Sequence, residues 1–374
     1  MKFLHIGDLH LGKKFNDVNL LDDQIYVLNQ IVDIANNESI DAVLIAGDIY
    51  DKSNPSSFAM TAFNDFLTKL VELNIKVFII SGNHDSDQRI SYFSSLIKNV
   101  GVYVSEKFEG KTQKIELEDE YGKINIHLLP FVRPANVRKY YPDEKIDNYQ
   151  DAIKLILENS NINYDERNVL VAHQFITGSI TCDSEEMSIG GLDNIDASVF
   201  DGIDYVALGH IHKAQRLLRD SLRYSGSIMK YSFSEVNHKK TVCIVNIKNK
   251  NDLNIGLEPL SFLHDVREVK GSFKELMSMD YSEDYVKVVL NDEIVDPDAR
   301  VTISTVFPNM MSFVVQNSKL NEEYLINNSE NIKGKSINDL FIDFYSMQNN
   351  GVSPSEKHLE LITRVLKEIK EEEE

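Results

Sequence analysis

Five apolar runs in this chain each end in a short tract of Asp, His and Asn. KFLHI leads into Asp8 and His10, AVLIA into Asp48, and IKVFII into Asn83, His84 and Asp85. NVLVA leads into His173, and YVALG into His210 and His212. Apolar runs of this length, bounded by turn residues, predict buried strands. Between the first three runs, apolar residues recur at helical spacing. One stripe is Leu20, Leu21, Ile25, Leu28, Ile31, Val32 and Ala35, with Gln24 among them; the other is Phe58, Ala62, Phe63, Phe66, Leu67, Leu70 and Val71. Strand alternating with helix predicts an α/β core. Open α/β sheets build their sites at the carboxyl ends of strands, so all five tracts should reach one rim.

Further strands are expected at Ile124–Leu129, Asn168–Ala172, Asp204–Leu208 and Thr241–Ile247, with loop and helix over Arg133–Tyr164. Near Glu258-Pro259 the pattern breaks. Beyond it, strands are expected at Tyr285–Leu290 and Val301–Thr305, and a short helix at Phe273–Met277, as in a small α+β domain over 266–330. Two amphipathic helices should follow over 336–374, the second opening at Ser353-Pro354 with Glu356 at capping-box spacing.

The residues at the five strand ends are carboxylates, imidazoles and an amide, without thiolates, so a structural zinc site is not expected. Oxygen and imidazole donors suit manganese, iron, zinc or, less well, magnesium. Asp8, His10, Asp48, Asn83, His173, His210 and His212 are more ligands than one tetrahedral ion needs; two ions sharing a carboxylate would use them. Such a pair clamps a phosphate and acidifies water, the chemistry of phosphoester hydrolysis. Taken singly, each motif is ordinary turn chemistry; their ordered recurrence after strands points to metal.

Other features have plainer readings. His5 and His127 lie within strands and should pack there, while His238, His264 and His358 lack a strand-end context. Cys182 and Cys243 should be free thiols in a reducing compartment. Gly110-Lys111-Thr112 and Gly334-Lys335-Ser336 lack the earlier glycine of a P-loop. No secretory leader or 18-residue apolar run is evident, which predicts a soluble, cytoplasmic chain without membrane attachment. With Lys plus Arg at 39 and Asp plus Glu at 59, the net charge of -20 excludes holding nucleic acid by bulk positive charge.

The ordered series DLHLG, GDIYD, GNHD, a later His and GHIH resembles the calcineurin-like metallophosphoesterase superfamily, a two-layer β-sandwich flanked by helices. DLHLGKKF, GGLDNIDASVFDGIDYVALGHIHKAQ, YSGSIMKYSFSE and DYVKVVLNDE resemble, more narrowly, the SbcD family of double-strand-break repair nucleases. The resemblance implies one metal on Asp8, His10, Asp48 and His212 and another on Asp48, Asn83, His173 and His210, with Asp48 bridging. It implies that His84 contacts the phosphate or protonates the leaving oxygen, that Asp51 orients His84, and that Asp85 supports the ligands.

It also implies Mn²⁺, with Mg²⁺ as a second choice, and DNA exonuclease and hairpin or single-strand endonuclease activity in repair, recombination and replication. The organisation would be a nuclease domain over 1–260, a capping domain over 266–330, and end helices that dock on SbcC, a coiled-coil ATPase. The assembly would be a homodimer within a heterotetramer. A local basic strip of Lys13, Lys14, Arg89, Arg133, Arg138 and Lys139 would meet DNA. A phosphatase, a cyclic-nucleotide phosphodiesterase or a non-catalytic scaffold on this fold would share the metal motifs.

Overall fold

A computed structural model describes residues 1–185 and 194–316, with isolated positions between 341 and 362. Two six-stranded sheets dominate. In the first, the order is Leu253–Pro259, Thr241–Ile247, Lys2–Ile6, Ala42–Ala46, Lys76–Ile80 and Val102–Val104. Its last four strands are parallel, and the first two pair antiparallel. In the second, the order is Gln215–Leu217, Arg219–Tyr224, Tyr205–Gly209, Arg167–His173, Gly122–Leu129 and Gln113–Asp119. Here the four central strands are parallel.

Side-chain alternation along each strand decides which layer a residue joins. Phe3, Ala42, Leu44, Phe78 and Ile80 pack between the sheets with Ile124, Ile126, Val169, Val171, Tyr205 and Ala207. Leu4, Ile6, Val43 and Ile45 turn to the other face, against the helices Leu21–Asn37 and Ser57–Glu72. The second sheet does the same with Leu170, Ala172, Val206 and Leu208 against the helix Tyr149–Glu158. Sheets buried on both faces explain why their strands read as continuous apolar runs. The expected two-layer sandwich flanked by helices is the observed architecture.

By packing, the chain divides into two units. The first takes Met1–Glu268, Tyr281–Lys287 and Phe307–Ser312; the second takes Val269–Asp280, Val288–Val306 and the residues described from Phe313 on. Val266–Gly271, Tyr285–Leu290 and Met310–Val315 form a three-stranded sheet in that order. The expected short helix is present at Phe273–Met277 with its capping box.

The strand expected over Val301–Thr305 is instead part of the helix Ala299–Ile303. Its β-branched residues suggest a strand. Packing decides otherwise: Ala299 and Ile303, four apart on one helical face, are buried, whereas Val301 is exposed. The expected helices over 336–374 lie largely outside the described residues.

Candidate metal centre

The loops after Lys2–Ile6 and Ala42–Ala46 are joined backbone to backbone. Asp8 N–H donates to Gly47 O (3.1 Å), His10 N–H to Asp48 O (2.9 Å) and Leu11 N–H to Ile49 O (2.9 Å). This pairing holds Asp8, His10 and Asp48 at positive φ of 51°, 44° and 48°. L-residues enter that region only where surrounding structure compensates the strain. His210 (φ 106°) joins them, its N–H donating to Asp8 Oδ1 at 2.9 Å. Asp85 fastens the third loop: its carboxylate accepts from Gly82 N–H (2.9 Å), Ile49 N–H (3.1 Å) and Tyr50 N–H (3.0 Å). Two glycines let these loops meet. A Cβ on Gly82 would overlap the Asp48 carboxylate, and one on Gly209 would overlap the Ala46 carbonyl oxygen.

All seven expected ligand residues come together here. Nε2 of His10 lies 3.0 Å from Nε2 of His212 and 3.7 Å from Asp48 Oδ2. On the other side, Asp48 Oδ2 lies 3.3 Å from His173 Nε2. Asn83 Oδ1 sits 3.0 Å from both His173 Nε2 and His210 Nδ1. One Asp48 oxygen thus stands between the two groups of imidazoles. Asp8, His10 and His212 offer atoms all within 4.8 Å of one another, and so do Asp8, Asp48 and His173. Asp8 therefore neighbours both groups, as Asp48 does.

The electrostatics favour a cation. Burial raises the Asp8 carboxyl to about 6, and the charge on Asp48 adds to this against the opposing pull of His173 and His212. Burial opposes ionisation of Asp48 too, but the surrounding imidazoles of His173, His10 and His84 together outweigh it and hold Asp48 well below the ordinary carboxylate range. His173 is the complement: burial would lower it, and Asp48 brings it up to about 9. Burial holds His10 well below its usual value and His210 at about 3. Asp8 Oδ2 and His10 Nδ1 are buried without a hydrogen-bond partner, a costly state for polar atoms. His173 Nδ1 lies 2.8 Å from Ala46 O. A carbonyl only accepts, so Nδ1 carries the proton and Nε2 offers its lone pair when neutral. Buried oxygen and imidazole donors with unfilled lone pairs fit divalent metal ions.

His84 lies beside this cluster. Its N–H donates to Asp48 Oδ1 (2.9 Å), and its Nε2 is 4.0 Å from Asp48 Oδ2. His84 Nδ1 lies 3.1 Å from the backbone oxygen of Asp51. Asp51 thus meets His84 through its carbonyl, while its carboxylate accepts from Lys13 at 2.9 Å. Among the other basic residues singled out, Arg138 donates to Ile146 O (2.8 and 2.6 Å), and Lys14, Arg89, Arg133 and Lys139 are exposed.

His5 packs against Tyr205 OH (2.9 Å), His127 against Asn168 (3.0 Å) and His264 against Asp23 (2.9 Å). Burial pushes the Cys182 thiol up to about 12 and Cys243 to about 11, which leaves both unreactive.

Several supporting residues carry little or no mark in the sequence. Gln24 donates to Leu9 O (3.1 Å) and His10 O (2.8 Å) and accepts from Gly12 N–H (2.9 Å). A polar residue within an apolar stripe is its only signal. Ser184, Glu235 and Lys240 gather behind His212; Glu235 closes the YSGSIMKYSFSE segment, while Ser184 and Lys240 carry no local pattern.

A family model described as calcineurin-like phosphoesterase matches residues 1–214. A second, described as the type 5 capsule protein repressor C-terminal domain, matches residues 263–349. The SbcD subunit of the SbcCD nuclease of Staphylococcus epidermidis is 33% identical over 320 residues, 83% of this chain and 84% of that protein. This chain belongs to the SbcD family of calcineurin-like phosphoesterases. As an SbcD-family protein it is a metal-dependent phosphoesterase. Among solved structures, a dimetal phosphatase from Danio rerio is similar at 13% identity, covering 69% of this chain and 96% of that one, with a TM-score of 0.40. GAP50 of Plasmodium is similar at 11% identity, covering 85% and 98%, with a TM-score of 0.41. SbcD membership rests on the sequence matches rather than on these two.

Proposed function

We propose that this chain is the Mn²⁺-dependent nuclease subunit of an SbcCD-type complex, cleaving DNA phosphodiesters in repair, recombination and replication. The arrangement that carries the reading is Asp48 Oδ2 lying between His10 Nε2 (3.7 Å) and His173 Nε2 (3.3 Å). In this reading Asp8, His10, Asp48 and His212 hold one cation, and Asp48, Asn83, His173 and His210 hold the other. When bound, such a pair polarises the phosphodiester and lowers the pKa of water.

The chain's own residues do the rest. Ala46 O holds His173 with Nε2 toward Asn83 and Asp48. Asp85 keeps the second and third loops in register. Asp51 O accepts from Nδ1–H of His84, so Nε2 would protonate the leaving oxygen only from the imidazolium form, which leaves the neutral Nδ1–H ring behind.

We further propose the organisation expected from sequence: nuclease over 1–260, capping domain over 266–330, and end helices over 336–374 that dock on an SbcC-type coiled-coil ATPase. A homodimer within a heterotetramer fits the exposed apolar residues Tyr92, Phe93 and Leu96. Among the described residues no helix is long and apolar enough to cross a membrane, and we place the complex in the cytoplasm. At a net charge of -20 the chain repels DNA at long range, so the partner would supply much of the affinity.

The direct test is purified chain with a labelled duplex and hairpin. Cleavage with Mn²⁺ that stops on chelation and returns on adding Mn²⁺ supports the proposal. Rapid hydrolysis of a nitrophenyl phosphate monoester with DNA untouched would replace it by a phosphatase. No hydrolysis of either substrate, with metal bound, would point to a scaffold.

A further inference from the structure

Behind His212 lies a chain of polar groups that runs from the half-buried Ser184 to the buried Glu235 and Lys240. Ser184 Oγ is 2.6 Å from His212 Nδ1 and 2.6 Å from Glu235 Oε1. Glu235 pairs with Lys240, and both side chains are fully buried. Lys240 also donates to His212 O (2.8 Å) and Ser227 Oγ (2.7 Å), so all three of its N–H groups are used. Glu235 accepts in addition from Tyr231 N–H at 3.0 Å.

The proton inventory of this chain is decisive. Glu235, paired with an ammonium, can only accept. Ser184 has one hydroxyl proton, and it goes to Glu235. The Ser184 oxygen is then an acceptor toward His212, so Nδ1 of His212 must carry the imidazole proton. That leaves Nε2 as the lone-pair atom, the one 3.0 Å from His10 Nε2.

We propose that Ser184 and Glu235 are positioning residues for His212, which select its Nδ1–H tautomer and ring orientation and so set the affinity of the cation position His212 shares with His10. This inference rests on the reading of His212 as a metal ligand. Hydrogen-bonding partners behind ligating imidazoles typically change metal affinity about 10–100-fold. Glu185 adds a second brace, its Oε1 accepting from His212 N–H at 2.6 Å.

Glu235 and Lys240 form a buried pair, so replacing either alone risks the fold. The informative variants are at Ser184, in the full chain with Mn²⁺ as probe. Binding is followed by titration of free Mn²⁺, and the His212 tautomer by nitrogen NMR of the metal-free protein. His212→Ala should abolish one of two binding steps. Ser184→Ala should weaken that same step about 10–100-fold, leave the other unchanged, and mix the His212 tautomers. Ser184→Thr, which keeps the hydroxyl, should restore both readouts. If His212→Ala removes a step while Ser184→Ala binds Mn²⁺ as the parent does, the positioning role is wrong and the ligand reading stands. If His212→Ala itself binds both ions unchanged, both fall.

Discussion

His10 and His212, 202 residues apart in the chain, face each other through their Nε2 atoms at 3.0 Å. Two imidazole lone pairs at that distance repel unless a proton or a cation lies between or beside them. Either one neutral ring donates its Nε2–H to the other, or a cation beside the pair takes both lone pairs while each ring keeps its proton on Nδ1. The contact joins the first strand's loop in one sheet to the GHIH loop after Tyr205–Gly209 in the other.

The position of Asp48 between both groups of imidazoles predicts unequal losses of metal. Asp48→Ala should reduce Mn²⁺ content from about two per chain toward none, and His210→Ala from about two toward one. Metal analysis of purified variants checks this; an Asp48→Ala protein that keeps two ions would remove Asp48 as the bridge.

His84 touches the cluster without being one of the seven proposed ligands. His84→Gln keeps the backbone N–H that holds Asp48 Oδ1. Cleavage should fall about 10²–10⁴-fold with Mn²⁺ content unchanged. Rates of duplex and hairpin digestion measure it.

Gly209 of the second sheet lies directly against the Ala46 carbonyl of the first. Gly209→Ala should force them apart, costing about 1–3 kcal/mol of stability, and should lower metal content as His173 loses its Ala46 partner. Denaturant melts and metal analysis together test it; an unchanged midpoint would contradict the close approach.

At the far end of the sheets, Arg167 and the N-terminal ammonium both bond the Asp119 carboxylate, at 2.6 and 2.7 Å. Burial would raise Asp119, but these cations outweigh it and hold the group below the usual carboxylate range. A depressed folded-state pKa means stability that is present above the unfolded value and lost as pH falls through the folded one. Asp119→Asn should therefore cost about 1–3 kcal/mol at pH 7, with the gap to the parent closing below the ordinary carboxylate pKa. Denaturant unfolding at neutral and acid pH measures it.

Much of this protein is legible in one dimension. Runs such as AVLIA and YVALG are apolar on both faces because helices cover one and a sheet the other. That double burial makes the central strands and the polar tracts at their ends readable. The four edge strands of the two large sheets, Leu253–Pro259, Val102–Val104, Gln113–Asp119 and Gln215–Leu217, leave no such trace, and neither does the inner strand Arg219–Tyr224, whose first half RDS is polar. Edge strands are short or half-exposed, as QKIELED is, and carry no apolar run to betray them. Val301–Thr305 reads wrongly as a strand because five residues are too few to separate a period of two from one near four; the helix there is Ala299–Ile303.

The sequence alone determined which residue types stand at which strand ends, and hence the seven ligand candidates and the chemistry they suit. Only the tertiary structure decided how they are held: that Asp51 meets His84 through its carbonyl, that Gln24 grips the first loop, and that Ser184 and Glu235 stand behind His212. Ligand identity is a property of side chains in order along the chain. Tautomer and orientation depend on neighbours drawn from anywhere in it, and folding alone brings those together.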